Sequence, residues 1–361
     1  MTDLALYFLR LGALGFGGPI ALVGYMHRDL VETRRWVSED EYREGLALAQ
    51  LSPGPLAAQL CFYLGYIRAG ILGATLSGIA FVLPSFLIVL ALGWAYVRYG
   101  GLAWMQAVFY GVGAAVIGLI SRSAYNLAKK TIGRDVLLWG ILIVVALATA
   151  ITGREIISLI VAAGALVWLV RAPPSVLRRR GTMAEAVSGL LLLQILGFFA
   201  YAGTFVFGSG LAIVPFLHGG VVLEHQWLTE RQFLDAVAVA LITPGPVVIT
   251  TGFIGYLVAG LAGACVAAGA TFLPAFLFTV IPAPYFHRYG SRPWLAAVVV
   301  GVTAGATGAI VGAVFVLARH SIVDGATAVI ALSAFGLTWT KWKIPDPVII
   351  AIAALIGLAI R

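Results

Sequence analysis

The sequence runs to 361 residues, of which 61% are hydrophobic and only 11% charged, with a mean hydropathy of +1.02. A soluble domain is typically about a quarter charged, so this chain lacks the polar residues to cover a water-facing surface. Soluble enzymes, DNA-binding domains and disulfide scaffolds are excluded. The formal net charge of +8 does not argue for nucleic acid, because the arginines sit in short loops between apolar runs long enough to cross a bilayer.

In chain order, the first apolar run follows Met1-Thr2-Asp3, which lacks a basic leader, so it reads as a span and not as a cleaved signal. It carries Arg10 in its interior. An arginine at mid-helix costs about 2.5–3.5 kcal/mol on insertion scales and faces either a pathway or, by snorkelling, an interface. Phe16-Gly17-Gly18-Pro19 then interrupts the run. Ser38-Glu39-Asp40-Glu41 has the capping-box pattern, with Val37 and Tyr42 placed as a hydrophobic staple, so a helix is expected from Ser38 through Leu51. Pro53-Gly54-Pro55 breaks it, and Ser52 followed by Pro53 reads as a fresh helix start with an N-cap and a proline at the first helical position.

The second half of the chain repeats this series. Phe207-Gly208-Ser209-Gly210, Trp227-Leu228-Thr229-Glu230 and Thr243-Pro244-Gly245-Pro246 match Phe16-Gly17-Gly18-Pro19, Trp36-Val37-Ser38-Glu39 and Ser52-Pro53-Gly54-Pro55 at constant spacing. After a one-residue slip, Ile254-Gly255-Tyr256 meets Leu64-Gly65-Tyr66. The chain therefore divides into a half-repeat over residues 1–171, a basic cytoplasmic linker over 172–185 and a second half-repeat over 186–361. Lys and Arg place the loops 27–44 and 121–134 and the linker inside, whereas the loop 218–235, with only Arg231, falls outside. The expected fold is an all-α polytopic membrane protein whose halves are inverted repeats, each with about five transmembrane helices plus a re-entrant broken PGP helix. If the broken segments cross instead, the halves become parallel.

Inverted repeats with matched broken helices place a substrate site near the midplane. Helix N-termini carry free N–H groups and the positive dipole end, which favour an anion. The candidate substrate-binding residues are Arg10, Phe16, Gly17, Gly18, Pro19, Gln50, Ser52, Pro53, Gly54, Pro55 and Gln59, with Gly208, Ser209, Gly210, Thr243, Pro244, Gly245 and Pro246 in the second half. Isolated, these prolines and glycines would read as kinks or packing contacts; two matched sets do not. Glu39 and Glu230 read as first-turn acids, Tyr63 and Asn126 as further cavity-lining groups, and Gly73 as a packing glycine. His27 and His218 are expected to lack nearby carboxylates and to make no metal site, and Cys61 and Cys265 lack metal-ligand spacing. No catalytic constellation and no cofactor is expected.

Leu9-Arg10-Leu11-Gly12, Phe16-Gly17-Gly18-Pro19, Trp36-Val37-Ser38-Glu39, Gln50-Leu51-Ser52-Pro53-Gly54-Pro55-Leu56-Ala57-Ala58-Gln59 and Gly65-Tyr66 resemble the N-terminal signature of the chromate ion transporter family. The resemblance covers essentially the whole chain and implies secondary active export of chromate across the cytoplasmic membrane and chromate resistance, with sulfate as a similar tetrahedral oxyanion. The absence of a GxxxxGK[ST] string agrees with a transporter not driven by ATP. The second half departs from the signature at Ser209-Gly210. Expected partners are the oxyanion and membrane lipid, with a homodimer as the candidate assembly; an exporter of another small anionic metabolite or amino acid is the alternative.

Overall fold

The computed structural model describes residues 1–16, 18–99, 102–152, 156–171, 191–206, 213–285, 293–339, 344 and 346–361, and every regular element among them is helical. The first half holds α1 (Thr2–Leu14), α2 (Gly18–Met26), a π-helical turn (His27–Thr33), α3 (Glu39–Leu51), α4 (Leu56–Tyr99), α5 (Ala103–Ile132), α6 (Val136–Thr152) and α7 (Ile157–Arg171). The second half repeats the order as α8 (Leu191–Gly203), α9 (Ile213–Leu217), a second π-helical turn (His218–Glu224), α10 (Glu230–Ile242), a 3-10 turn (Val247–Ile249), α11 (Thr250–Val280), α12 (Pro293–Ser321), α13 (Gly325–Leu337) and α14 (Asp346–Ile360). Gly17, Gly208, Ser209 and Gly210 lie outside the described residues.

The caps form as the sequence predicts. The Glu41 N–H donates to Ser38 Oγ at 3.3 Å and the Ser38 N–H to Glu41 Oε2 at 2.8 Å; Thr229 and Gln232 repeat the pair at 3.3 and 2.9 Å. The restart after the break differs from expectation. Ser52 is the C-cap of α3, with its N–H bonded to the Leu48 carbonyl at 2.9 Å and its hydroxyl donating to the Phe278 carbonyl at 3.2 Å. The following helix opens only at Leu56, where the Gln59 N–H reaches the Pro55 carbonyl at 2.9 Å. The reason is Gly54: its φ of +148° turns the chain back before a helix can restart.

That reversal lays the start of α4 antiparallel against α3, with Gly45 so close to the Tyr63 ring that a Cβ would overlap it. A second reversal follows at Ala69-Gly70 (Gly70 φ +59°), splitting α4 into limbs 56–68 and 71–99. The limbs pack through small residues: Gly65 and Gly73 press on each other's backbone, and Cys61 Sγ donates to the Ser77 carbonyl at 3.3 Å. Ala259-Gly260 (Gly260 φ +59°) folds α11 in the same way.

Between halves, the 247–258 segment runs in the same direction as the 71–99 limb, since Gly245 meets Ser85, Gly252 meets Phe86 and Val89, and Tyr256 meets Gly93. The outer helices exchange partners: α5 packs on α13 and α14, and α12 packs on α6 and α7. Among the described residues four helices are long and apolar enough to cross a membrane, Leu56–Tyr99, Ala103–Lys129, Val247–Tyr285 and Val300–Ser321, with five shorter apolar helices beside them.

Candidate functional site

Each PGP turn is bonded to the opposite half, and the bonding is reciprocal. The Gly54 N–H donates to the Val206 carbonyl at 2.6 Å, and the Gly245 N–H donates to the Gly15 carbonyl at 3.0 Å. Each turn is also wedged against the other half's long helix. A Cβ on Gly54 would lie 2.6 Å from Gln59 Cδ and 2.8 Å from Ala275 Cβ, and one on Gly245 would strike Ser85 Oγ. Both glycines have positive φ, +148° and +92°, so only glycine fits there without strain.

These two N–H groups therefore serve carbonyls of the opposite half. The donors remaining at the first turn are the N–H groups of Leu56, Ala57 and Ala58, which have no intrahelical partner and receive none from loops or side chains among the described residues. The second half offers fewer, because its 3-10 turn engages the Ile249 N–H with the Pro246 carbonyl at 3.0 Å. Gln59 is fully buried; its Nε2 donates to the Pro53 carbonyl at 2.9 Å, while its Oε1 and the buried Ser85 Oγ have no partner among the described residues. Pro55, Pro244 and Pro246 are buried around the turns, Ser52 and Pro53 half-buried, and the Thr243 hydroxyl turns back to the Val239 carbonyl at 2.7 Å. Gln50 is exposed at the end of α3, apart from these groups, and Gly18 and Pro19 open α2.

Arg10 and Phe16 sit elsewhere. They line a cleft of ≈ 470 Å³ between α1 and the α2–π-turn segment, together with Tyr7, Arg28, Asp29 and Arg34. Arg34 lies over the rings of Tyr7 and Trp36, 5.5 and 4.6 Å from their centroids, and Arg28 Nε donates to Asp29 Oδ1 at 2.9 Å. Gly15 lines the same cleft, and its carbonyl accepts from the Gly245 N–H. The second half has a cleft of ≈ 380 Å³ at the matching positions, lined by Phe198, Tyr201, Gly219, Gly220, Glu224 and His225.

Three arrangements are not visible in the sequence. His27 Nε2 lies 2.9 Å from Glu39 Oε2, and His218 Nε2 lies 2.8 Å from Glu230 Oε2. The expectation that these histidines lack nearby carboxylates fails: His27 Nδ1 also lies 3.2 Å from Glu32 Oε1, and the contacts with Glu39 and Glu230 tie each π-turn to the start of the next helix. The His27 hydrogen bond is the main cause holding the Glu39 carboxyl below its usual range. Third, Asp235, only 4% exposed in α10, accepts a 2.6 Å hydrogen bond from the Tyr96 hydroxyl of α4. Its one sequence signal was an acid inside Leu234-Asp235-Ala236-Val237-Ala238-Val239. Among the described residues no group of three or more His, Cys, Asp and Glu side chains is placed to hold a metal.

The family model described as chromate transporter matches residues 2–168 and 193–358. A chromate transport protein of Cupriavidus metallidurans is 64% identical over 371 residues, covering 99% of this chain and 92% of its own. A probable chromate transport protein of Synechococcus elongatus is 60% identical, covering 99% and 95%. A chromate transport protein of Pseudomonas aeruginosa is 34% identical, covering 98% and 90%. No solved structure matches the chain.

Proposed function

This chain belongs to the chromate transporter family and is a multi-pass membrane protein, and on that premise we propose that it is a secondary active transporter that exports chromate across the cytoplasmic membrane. Sulfate, equal in charge and shape, is the expected competitor. The dianion is held at the first PGP turn, by the first-turn N–H groups of Leu56, Ala57 and Ala58 and by the positive end of that helix. An anion leaving water needs fixed donors in place of its hydration shell, and backbone N–H groups supply them without an opposing charge. The observation that carries this reading is the reciprocal pair Gly54–Val206 and Gly245–Gly15, which locks a broken helix of each half into the other.

The inverted relation of the halves is part of the proposal. It is supported by direction: the 247–258 segment runs with the 71–99 limb, which itself folds back on 56–68, the counterpart of 247–258. Equivalent limbs thus point opposite ways. The 13-residue α3 is about 20 Å long and turns back at Gly54, which supports a re-entrant segment in preference to a crossing one. The linker over 172–185 is proposed to be cytoplasmic from its arginines.

The test is flux of labelled chromate in proteoliposomes, with proton and potential gradients imposed separately. Saturable chromate movement, accelerated by one of the gradients and slowed by sulfate, is expected. Flux no greater than in protein-free vesicles would overturn the assignment, and saturable flux of an organic anion in its place would favour a different substrate.

A further inference from the structure

The two clefts are one device built twice and then made chemically unequal. Position for position along the repeat, Arg10 faces Tyr201, Arg28 faces Gly219, Asp29 faces Gly220 and Arg34 faces His225. The shared scaffold is plain in the ring stack: Arg34 lies over Tyr7 and Trp36, while His225 stacks on Trp227 at 4.4 Å and 13° and meets Phe198 edge-on at 5.6 Å. The first cleft thus gathers three guanidinium groups against the single carboxylate of Asp29. Its twin holds Glu224 and no guanidinium, and its Gly220 has no room for a side chain because a Cβ would overlap the Phe198 ring.

We propose that the Arg10–Arg28–Arg34 cleft is a loading site for the tetrahedral dianion, present in the N-terminal half alone, and that its C-terminal twin, which carries Glu224 and no guanidinium, is a release mouth. This rests on the oxyanion-transport reading above. Guanidinium presents paired donors in a fixed fork that matches an oxyanion. Arg34 is already immobilised by its two rings, so less rotamer freedom is lost on binding. Arg28 spends Nε on Asp29 and keeps its terminal nitrogens, and Arg10 has no carboxylate partner among the described residues. The cleft is coupled to the second PGP turn through Gly15, which lines it and whose carbonyl accepts from the Gly245 N–H. With equivalent limbs opposed, the cationic cleft faces the side of the arginine-rich 27–44 segment and its twin faces the other. The transporter is loaded from one face and emptied at the other by the same fold.

The experiment is initial-rate chromate flux in oriented proteoliposomes at low and high ionic strength. Arg28→Gln and Arg34→Gln are expected to raise KM on the order of tenfold while lowering Vmax far less, because a capture site acts through local anion concentration. High salt raises KM of the unaltered protein and has little further effect on the Arg28→Gln/Arg34→Gln double variant. Arg10→Lys retains part of the effect and Arg10→Gln does not. Arg43→Gln, which removes a like charge from the first turns of α3, outside the cleft, leaves KM in place. Unchanged KM and salt dependence in the cleft variants, or an equal shift for Arg43→Gln, would overturn the loading site even though chromate is transported. Absence of saturable chromate flux in the unaltered protein would instead overturn the function on which it rests. If a glutamine variant fails to fold, Arg34→Lys and the salt dependence of the unaltered protein still decide the matter.

Discussion

At Gly54 the backbone, not the side chain, determines what the position tolerates. Its φ of +148° and the nearness of Gln59 and Ala275 make any Cβ both strained and crowded. Gly54→Ala should cost roughly 1–3 kcal/mol in thermal unfolding of the purified protein. Gly140, on the exposed face of α6 with open space where a Cβ would stand, is the fitting control, and Gly140→Ala should be neutral or gain up to about 1 kcal/mol. Gly73 cannot serve as that control, because a side chain there would enter the Gly65 backbone. Equal melting shifts for Gly54→Ala and Gly140→Ala would show that the turn is not held as described. Asp235 offers a second test at this scale. Tyr96→Phe should cost about 1–3 kcal/mol by stranding a buried carboxyl oxygen, and less in an Asp235→Asn background, where the stranded atom is neutral. Additive losses in that double-mutant cycle would mean the hydrogen bond carries no energy of its own.

At the scale of elements, the sequence marks beginnings better than reversals. Ser38 with Glu41 and Thr229 with Gln232 announce α3 and α10, because capping is local chemistry readable over four residues. The PGP breaks are equally legible. The fold at Ala69-Gly70 is partly legible, since Arg68 marks where the re-entrant segment is expected to return, whereas Gly260 sits in an apolar run without proline or charge, so that reversal leaves no local signal. The π-turns at His27–Thr33 and His218–Glu224 leave no separate periodicity to detect, and their ties to Glu39 and Glu230 are contacts between elements. Part of the site was legible for the same reason. Gln59 and the PGP residues fall together because they are adjacent in sequence, while Arg28 and Arg34 join Arg10 only through the packing of α2 and its π-turn beside α1.

For the whole molecule, the proposed transporter is one fold, duplicated and inverted, that closes around an oxyanion between two broken helices. The exchange of outer helices, with α5 held by α13 and α14 and α12 by α6 and α7, makes each half incomplete without the other. Arg35 and Gln226 occupy matching positions with matching left-handed backbone, φ +53° and +51°, in loops that the inverted arrangement puts on opposite membrane faces. Single cysteines at Arg35→Cys and Gln226→Cys, in a background lacking Cys61 and Cys265, can be labelled in intact cells and in inverted vesicles with an impermeant maleimide. The account predicts that the Arg35 position reacts only from the cytoplasmic face and the Gln226 position only from the opposite one; labelling of both from the same face would contradict it.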